Sequence, residues 1–328
     1  MRLRRLTAHR AGVRSYGAML MFPIRCVALA GVLLGWAGCS ANQVLLPPEQ
    51  PGFPPACAER DSGPPAGVAG PTPPPRTCQP EPLLVPRPSI EDRLNTFALH
   101  VWHDYQNYYT APNLCDLGLG IGVAGVFAET PLDQHFRDWY QDDVRTPGTD
   151  NVARFFKNFG EATYVVPSIA ALTVAGELLD EDPTAAVVGQ YGERVSRAYL
   201  VGAPPMLFLQ AALGSSRPGW EPYGSQWHPF VGDNAASGHA FVSSVLFLTA
   251  ADMVDDPLLK GALCVGSTVT GWSRINDDAH YLSQVILGWW LGYLAVRTVD
   301  HTEIENQLFR LTPLVSPEIT GVGFTQRW

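Results

Sequence analysis

The chain has 328 residues, of which 46% are hydrophobic and 16% are charged, so it is long enough for one large hydrophobic core or two smaller ones. Its formal net charge of −9 argues against a nucleic-acid partner, because binding to a phosphate backbone requires a basic surface. The six cysteines include no Cys-x-x-Cys pair, so the sequence predicts no metal site of the structural zinc type.

The N-terminal residues 1–39 are typical of an export signal. A stretch with several arginines precedes an apolar run over 26–38. This run is too short to cross a bilayer comfortably and has the length of the hydrophobic region of a signal peptide. Small residues before Cys39 resemble the cleavage site of bacterial lipoproteins, so we expect Cys39 to carry lipid. Two alternatives stay open: an uncleaved N-terminal membrane anchor, and a true start at Met19 or Met21.

Residues 40–89 are rich in proline and glycine. Such a segment cannot bury enough apolar surface to fold, and its composition predicts a stiff, extended tether between the lipid and a domain. Ser89 is predicted to cap the first helix of that domain, since acidic residues follow in the first turn. We therefore expect a helical domain over 90–315 and a C-terminal tail over 316–328.

Apolar periodicity predicts helices throughout that domain and no convincing strand. The predicted helices cover 90–109, 117–128, 131–143, 151–159, 161–179, 184–213, 239–253, 257–271 and 279–299. Pro204 and Pro205 are expected to kink or split the helix that contains them. The strongest apolar stretches fall short of about 20 uninterrupted residues, the length of a membrane span. We expect an all-α bundle that is soluble or rests on a membrane, and the integral alternative stays open.

Three short blocks in the C-terminal half carry groups suited to a bound phosphate. A Ser-Gly turn lies just before a helical apolar run, where backbone N–H groups without carbonyl partners can bind an anion. Two arginines offer guanidinium groups, each of which matches two phosphate oxygens at once. With two histidines, these are the groups of phosphoryl transfer without metal ligands. The residues are Arg217, Ser237, Gly238, His239, Arg274 and His280.

The order and internal spacing of these blocks resemble the type 2 phosphatidic acid phosphatase and vanadium haloperoxidase superfamily. That family carries a lysine, six residues and Arg-Pro; then Pro-Ser-Gly-His; then Ser-Arg, five residues, His, three residues and Asp. The matching positions are Arg217-Pro218, Ser237-Gly238-His239, Ser273-Arg274 and His280. The departures are Gln210 for the lysine, Ala236 for the proline and Gln284 for the aspartate. The resemblance covers roughly residues 155–300 and implies an all-α helical bundle of the phosphatidic acid phosphatase/haloperoxidase type.

The resemblance implies that His280 is the nucleophile, which attacks phosphorus and forms a phosphohistidine. One ring nitrogen must stay free for the attack, so the other must donate to an acceptor. The family uses its aspartate for this, and here Gln284 lies at the same i+4 position. The side-chain carbonyl of Gln284 can fix the tautomer, but it cannot offset the imidazolium charge that develops during the attack. Asp277 and Asp278 lie nearby in sequence and could supply a carboxylate instead.

His239 is the candidate general acid, because the leaving oxygen needs a proton and a histidine can give it. Arg217 and Arg274 are expected to bind the equatorial oxygens, where negative charge concentrates in the transition state. The Ser237-Gly238 turn offers a hydroxyl and a close approach of the backbone. Gln210 could donate one amide hydrogen bond to the phosphate but supplies no charge.

Together these assignments predict an envelope-associated, metal-independent phosphatase that needs no cofactor. It would act on a phosphomonoester or a diphosphate, and the predicted membrane tether favours a lipid phosphate. One alternative is a vanadium haloperoxidase, in which vanadate occupies the same anion cradle with the histidine as axial ligand. Another is a weakened family member that binds phosphate or lipid head groups without turnover, which the two glutamines favour. We expect the protein at the periplasmic or outer-membrane side of a bacterial envelope, and the sequence leaves its oligomeric state open.

Overall fold

The structure is a computed structural model that describes residues 89–179, 182–220, 224–315 and 320–326. The predicted signal over 1–39, including Cys39, lies outside the described residues. The same holds for the predicted tether, apart from Ser89. These two predictions therefore stay predictions.

Helices form almost all of the described chain, which confirms the all-α prediction for its main body. The helices are α1 (Ile90–Tyr108), α2 (Ala111–Ala128), α3 (Leu132–Trp139), α4 (Pro147–Lys157), α5 (Ala162–Leu178), α6 (Pro183–Leu213), α7 (Gly238–Asp252), α8 (Pro257–Asn276) and α9 (Leu282–Leu308). A π-helical turn covers Tyr140–Val144 and a 3-10 turn covers Asn158–Gly160. An antiparallel hairpin follows α9, in which β1 (Phe309–Val315) pairs with β2 (Thr320–Gln326). The sequence analysis did not predict this hairpin.

Local capping explains several helix boundaries. Ser89 caps α1 as predicted: its side chain accepts from the Asp92 N–H, and the Asp92 carboxylate accepts from the Ser89 N–H at 3.0 Å. Thr146 caps α4 in the same reciprocal way with Thr149, so α4 begins at Pro147 and not at 151 as predicted. Helix α6 runs unbroken through its two internal prolines, so the predicted split does not occur.

Helix α9 lies in the middle of the main core. Its Leu287, Leu291 and Leu294 are almost completely buried and pack in one cluster with Phe241 and Val245 of α7. Helices α2, α6 and α7 all contact α9. Helices α7 and α9 pack side by side from their first turns. His239 lies in the first turn of α7 and His280 lies just before α9, so this packing brings the two histidines together.

Large apolar side chains also lie on the surface of the bundle. Among the described helices, α2 is the one that is long and apolar enough to cross a membrane, by length and composition alone, and 17% of it is buried. Helix α5 is apolar but shorter. On α6, Leu207 and Phe208 are 59% and 64% exposed. These exposed side chains therefore contribute little to the core around α9, although α2 and α6 contact α9 through other residues.

Candidate active site

Three segments that are distant in sequence meet beside the first turns of α7 and α9. The end of α6 and the loop after it supply Gln210 and Arg217, and the start of α7 supplies the Ser-Gly-His block. The last turn of α8 supplies Arg274, the connection to α9 supplies His280, and the first turn of α9 supplies Gln284. The charges of both arginines and of His239 act on the His280 ring. The structure thus brings together the phosphate-site residues that the sequence analysis named, whereas Cys39 lies outside the described residues.

His280 is held as a neutral imidazole with a defined tautomer. Its ring is buried, and its Nδ1 lies 2.8 Å from Oε1 of Gln284. An amide oxygen can only accept, so Nδ1 carries the proton and Nε2 keeps its lone pair. Burial lowers the pKa of His280 to about 3, helped by the charges of Arg274 and Arg217 and opposed by the hydrogen bond to Gln284. The ring is therefore uncharged at neutral pH.

Gln284 uses both ends of its buried amide. Its Oε1 accepts from His280 and also from the Tyr281 N–H at 3.2 Å. Its Nε2 donates to the Ser215 hydroxyl at 3.0 Å and to the Ser216 carbonyl at 2.8 Å. The side chain therefore connects the nucleophile candidate to the loop that carries Arg217.

The carboxylates that follow α8 serve other partners. Asp277 pairs with Arg274, with its Oδ2 2.9 Å from Nη1. Asp278 receives two hydrogen bonds of 2.6 Å from the Arg137 guanidinium. Neither side chain is the partner of the His280 ring, so the suggestion that one of them replaces the family aspartate is wrong.

The Ser-Gly turn lies at the start of α7, as the sequence predicted. Ser237 is fully buried and caps the helix, since its hydroxyl accepts from the Ala240 N–H at 3.4 Å. A Cβ atom built on Gly238 would have the Gln210 amide nitrogen as a neighbour at 3.9 Å, so the Gly238 main chain faces the Gln210 amide. One amide hydrogen of Gln210 is used within the protein, because Nε2 donates to the Ala236 carbonyl at 2.6 Å.

The two arginines are held differently. Arg217 donates from Nε to Asn234 Oδ1 at 2.8 Å, and its guanidinium carbon lies 5.8 Å from the ring centre of Trp220. Arg274 is 7% exposed, and its buried Nε has no hydrogen-bond partner among the described residues. A guanidinium is always charged in proteins, and an unpaired buried N–H is costly. This arrangement favours an anionic ligand beside Arg274.

His239 also has a buried nitrogen that makes no hydrogen bond in the described part of the chain. This atom, Nε2, lies 3.6 Å from Oε2 of Glu161, which is beyond hydrogen-bond length but within reach of an ion pair. Burial and then the charge of Arg274 lower the pKa of His239 to about 4, and the Glu161 carboxylate opposes both. Glu161 was missed by the sequence analysis, because a lone glutamate before an apolar helix carries no motif.

Part of the chain is similar to a known protein family. Residues 199–304 match the family model of the PAP2 superfamily. The resemblance to this family is thereby confirmed. The matched range contains all three blocks of the site, whereas Glu161 precedes it. No curated protein matches the chain.

A PAP2 structure is similar to this chain at low identity. It is the crystal structure of a transmembrane PAP2-type phosphatidylglycerolphosphate phosphatase from Bacillus subtilis, with 14% sequence identity and a TM-score of 0.37. The match covers 66% of this chain and 98% of that chain. Within the described residues of this chain, no group of three or more His, Cys, Asp or Glu side chains is placed to hold a metal ion.

Proposed function

We propose that the chain is a phosphatase-type hydrolase that cleaves a phosphomonoester or a diphosphate through a phosphohistidine on His280. One observation carries the proposal: a buried, neutral imidazole whose Nδ1 is fixed by Gln284 lies within the field of Arg217 and Arg274. A nucleophilic histidine needs a free nitrogen, a fixed tautomer and nearby cations that bind the phosphate oxygens. Membership of the PAP2 superfamily over 199–304 supports the same reaction class.

The reaction divides into two displacements at phosphorus. In the first, Nε2 of His280 forms a bond to phosphorus as the ester P–O bond breaks, and the protonated form of His239 gives a proton to the leaving oxygen. Because the pKa of His239 is lowered to about 4, this form is favoured at acidic pH. In the second, water attacks the phosphohistidine while neutral His239 accepts a proton from it. The P–N bond then breaks, inorganic phosphate leaves, and both histidines return to their starting forms.

The phosphate oxygens are bound by the cations and by the start of α7. Arg274 offers its unpaired Nε–H, and Arg217 offers the guanidinium nitrogens that Asn234 does not use. The first N–H groups of α7 add donors at a helix N-terminus. Gln284 carries no charge, so the imidazolium that forms during attack is stabilised less than beside a carboxylate. We therefore expect slow turnover.

A lipid phosphate is the favoured substrate class. The loop that carries Arg217 also exposes large apolar side chains: Trp220 is 63% exposed and Phe230 is 77% exposed. Aromatic side chains of this kind are common at membrane interfaces, where one side is apolar and the other is wet. Placed beside a phosphate site, they suit a substrate whose head group enters the protein while its chains stay in the bilayer.

The test compares His280→Ala with His301→Ala, which removes an exposed histidine elsewhere on α9. Hydrolysis of p-nitrophenyl phosphate in the presence of EDTA should fall at least about a thousand-fold in the first variant and stay unchanged in the second. A substrate labelled at phosphorus should give an acid-labile phosphoprotein in the wild type and in His301→Ala only. Full activity in His280→Ala would contradict the proposal. A parallel assay with a phosphate lipid in vesicles tests the substrate class.

The same assays separate the two alternatives. Binding of inorganic phosphate without turnover would favour a weakened binding protein, which the uncharged side chains of Gln210 and Gln284 support. Halide oxidation that depends on added vanadate would favour the haloperoxidase alternative.

A further inference from the structure

Glu161 is held against the start of α7 by the packing of the 3-10 turn that precedes it. The main chain of Gly160 lies so close to His239 that an added Cβ would come within 2.8 Å of the His239 Cα atom and 2.7 Å of its carbonyl oxygen. The Thr163 hydroxyl donates to Oε1 of Glu161 at 3.0 Å, which leaves Oε2 directed at the His239 ring. The packing of Gly160 against His239 and the hydrogen bond from Thr163 thus set the position of the carboxylate.

The charges around the His239 ring come from four segments. Arg274 on α8 and Lys157 at the end of α4 both disfavour a protonated ring, and His280 faces it across the site. Glu161 is the carboxylate that favours the protonated ring. Burial acts in the same direction as the two cations. Without Glu161, burial and both cations would therefore oppose a proton on the ring.

We infer that Glu161 is a positioning residue that orients His239 and favours the protonated ring, which gives a proton to the leaving oxygen. The inference rests on the proposed function, in which His239 acts as the general acid. Glu161 itself does not touch the phosphate in this scheme; it acts through the imidazole, 3.6 Å away. A bound phosphate dianion strengthens the same effect, because it adds a second negative charge beside the ring.

The experiment uses two substitutions of opposite sign in the full chain. Glu161→Gln removes the carboxylate and should lower the pKa of His239. Lys157→Gln removes a cation and should raise it. For partly exposed pairs we expect shifts of about 0.3 to 0.7 pH unit in each direction. Glu91→Gln, in the first turn of α1, is the matched control and should shift nothing.

Two readouts distinguish failure of this inference from failure of the proposed function. The first is an NMR titration of the His239 ring protons, which needs no turnover. The second is the pH profile of kcat/KM, whose alkaline limb reports loss of the proton from the general acid. The limb should move to lower pH in Glu161→Gln and to higher pH in Lys157→Gln. Glu161→Asp, which keeps the charge on a shorter side chain, should fall between wild type and Glu161→Gln.

Opposite shifts in both readouts would support the inference. An active enzyme in which neither substitution moves the limb would overturn it and leave the proposed function standing. A chain without hydrolytic activity would overturn the proposed function, and with it the role of Glu161 as a helper of the proton donor, even where the NMR shifts appear. A melting temperature unchanged from wild type in Glu161→Gln excludes unfolding as the cause of any effect.

Discussion

At the scale of single residues, Gln284 is the position where this chain departs most consequentially from the family pattern that it resembles. An aspartate there would accept the Nδ1 proton of His280 and carry a negative charge. The amide accepts the same proton but also donates to Ser215 and to the Ser216 carbonyl. These two donated bonds have no equivalent in a carboxylate, since an ionised carboxylate can only accept. The glutamine is therefore integrated into its surroundings and is more than a weakened aspartate.

The substitution Gln284→Asp tests the importance of these donated hydrogen bonds. Gln284→Asp should lower the free energy of unfolding by about 1–3 kcal/mol, because it removes the 2.8 Å hydrogen bond to the Ser216 carbonyl and places a charge beside that oxygen. Hydrolysis should not exceed the wild-type rate, because the Arg217 loop loses its connection to the nucleophile. Chemical denaturation and kcat measure the two effects. Faster turnover with unchanged stability would show that the donated bonds are unimportant.

At the scale of elements, α9 approaches α7 closely beside the proposed phosphate site. Gly288 lies against the cap of α7, where an added Cβ would collide with the Ser237 main chain, whose nitrogen and carbonyl carbon would be 3.0 Å away. The Ser237 N–H donates to the Gln284 carbonyl at 2.8 Å, one turn earlier on α9. A glycine is required at position 288 because an added Cβ would meet backbone atoms, which cannot move aside as a flexible side chain can.

Gly288→Ala should therefore push the two helices apart. We expect a loss of stability of about 1–3 kcal/mol from overpacking and weaker binding of inorganic phosphate, measured by thermal unfolding and calorimetry. Gly261→Ala on α8 is the control, since an added Cβ there meets nothing within 4 Å. That change should stabilise the protein by roughly 0.5–1 kcal/mol through helix propensity. Equal effects of the two substitutions would contradict this account of the helix contact.

At the scale of the whole molecule, a buried ionic cluster connects α1, α6 and α9. Arg197 of α6 is fully buried and makes two hydrogen bonds, of 2.8 and 2.9 Å, to Asp104 of α1. It also pairs with Glu303 of α9. A buried ion pair contributes little net stability relative to an apolar replacement of the whole group. Loss of one partner is different, because the remaining charge stays buried without compensation.

Arg197→Met should destabilise the protein by about 3–5 kcal/mol, since it leaves the fully buried Asp104 without its cation. The matched control is Arg297→Met, which breaks an ion pair with Asp116 in which the arginine side chain is 50% exposed. That loss should cost no more than about 1 kcal/mol. Thermal unfolding of the two variants checks the difference. Similar melting temperatures would show that the Arg197 cluster is not a structural tie between the helices.

Much of the helical pattern could be predicted from sequence because it is local. Ser89 caps α1 as expected, and the apolar periodicity located every helix within a few residues or turns. The errors arose where local rules were incomplete. Helix α4 begins earlier than predicted because Thr146 and Thr149 cap each other, and α8 continues to Asn276 because its last turn is buried against neighbours.

The sequence by itself determined the chemistry available at the site, since the residue types and their spacing within each block are written in the chain. Only the tertiary structure decided how those groups meet. The packing of α6, α7, α8 and α9 sets the distances between blocks, and it directs the Gln284 amide at both His280 and the Arg217 loop. It also brings Glu161 to His239. Contacts between distant segments depend on packing of whole helices, and no local pattern records them.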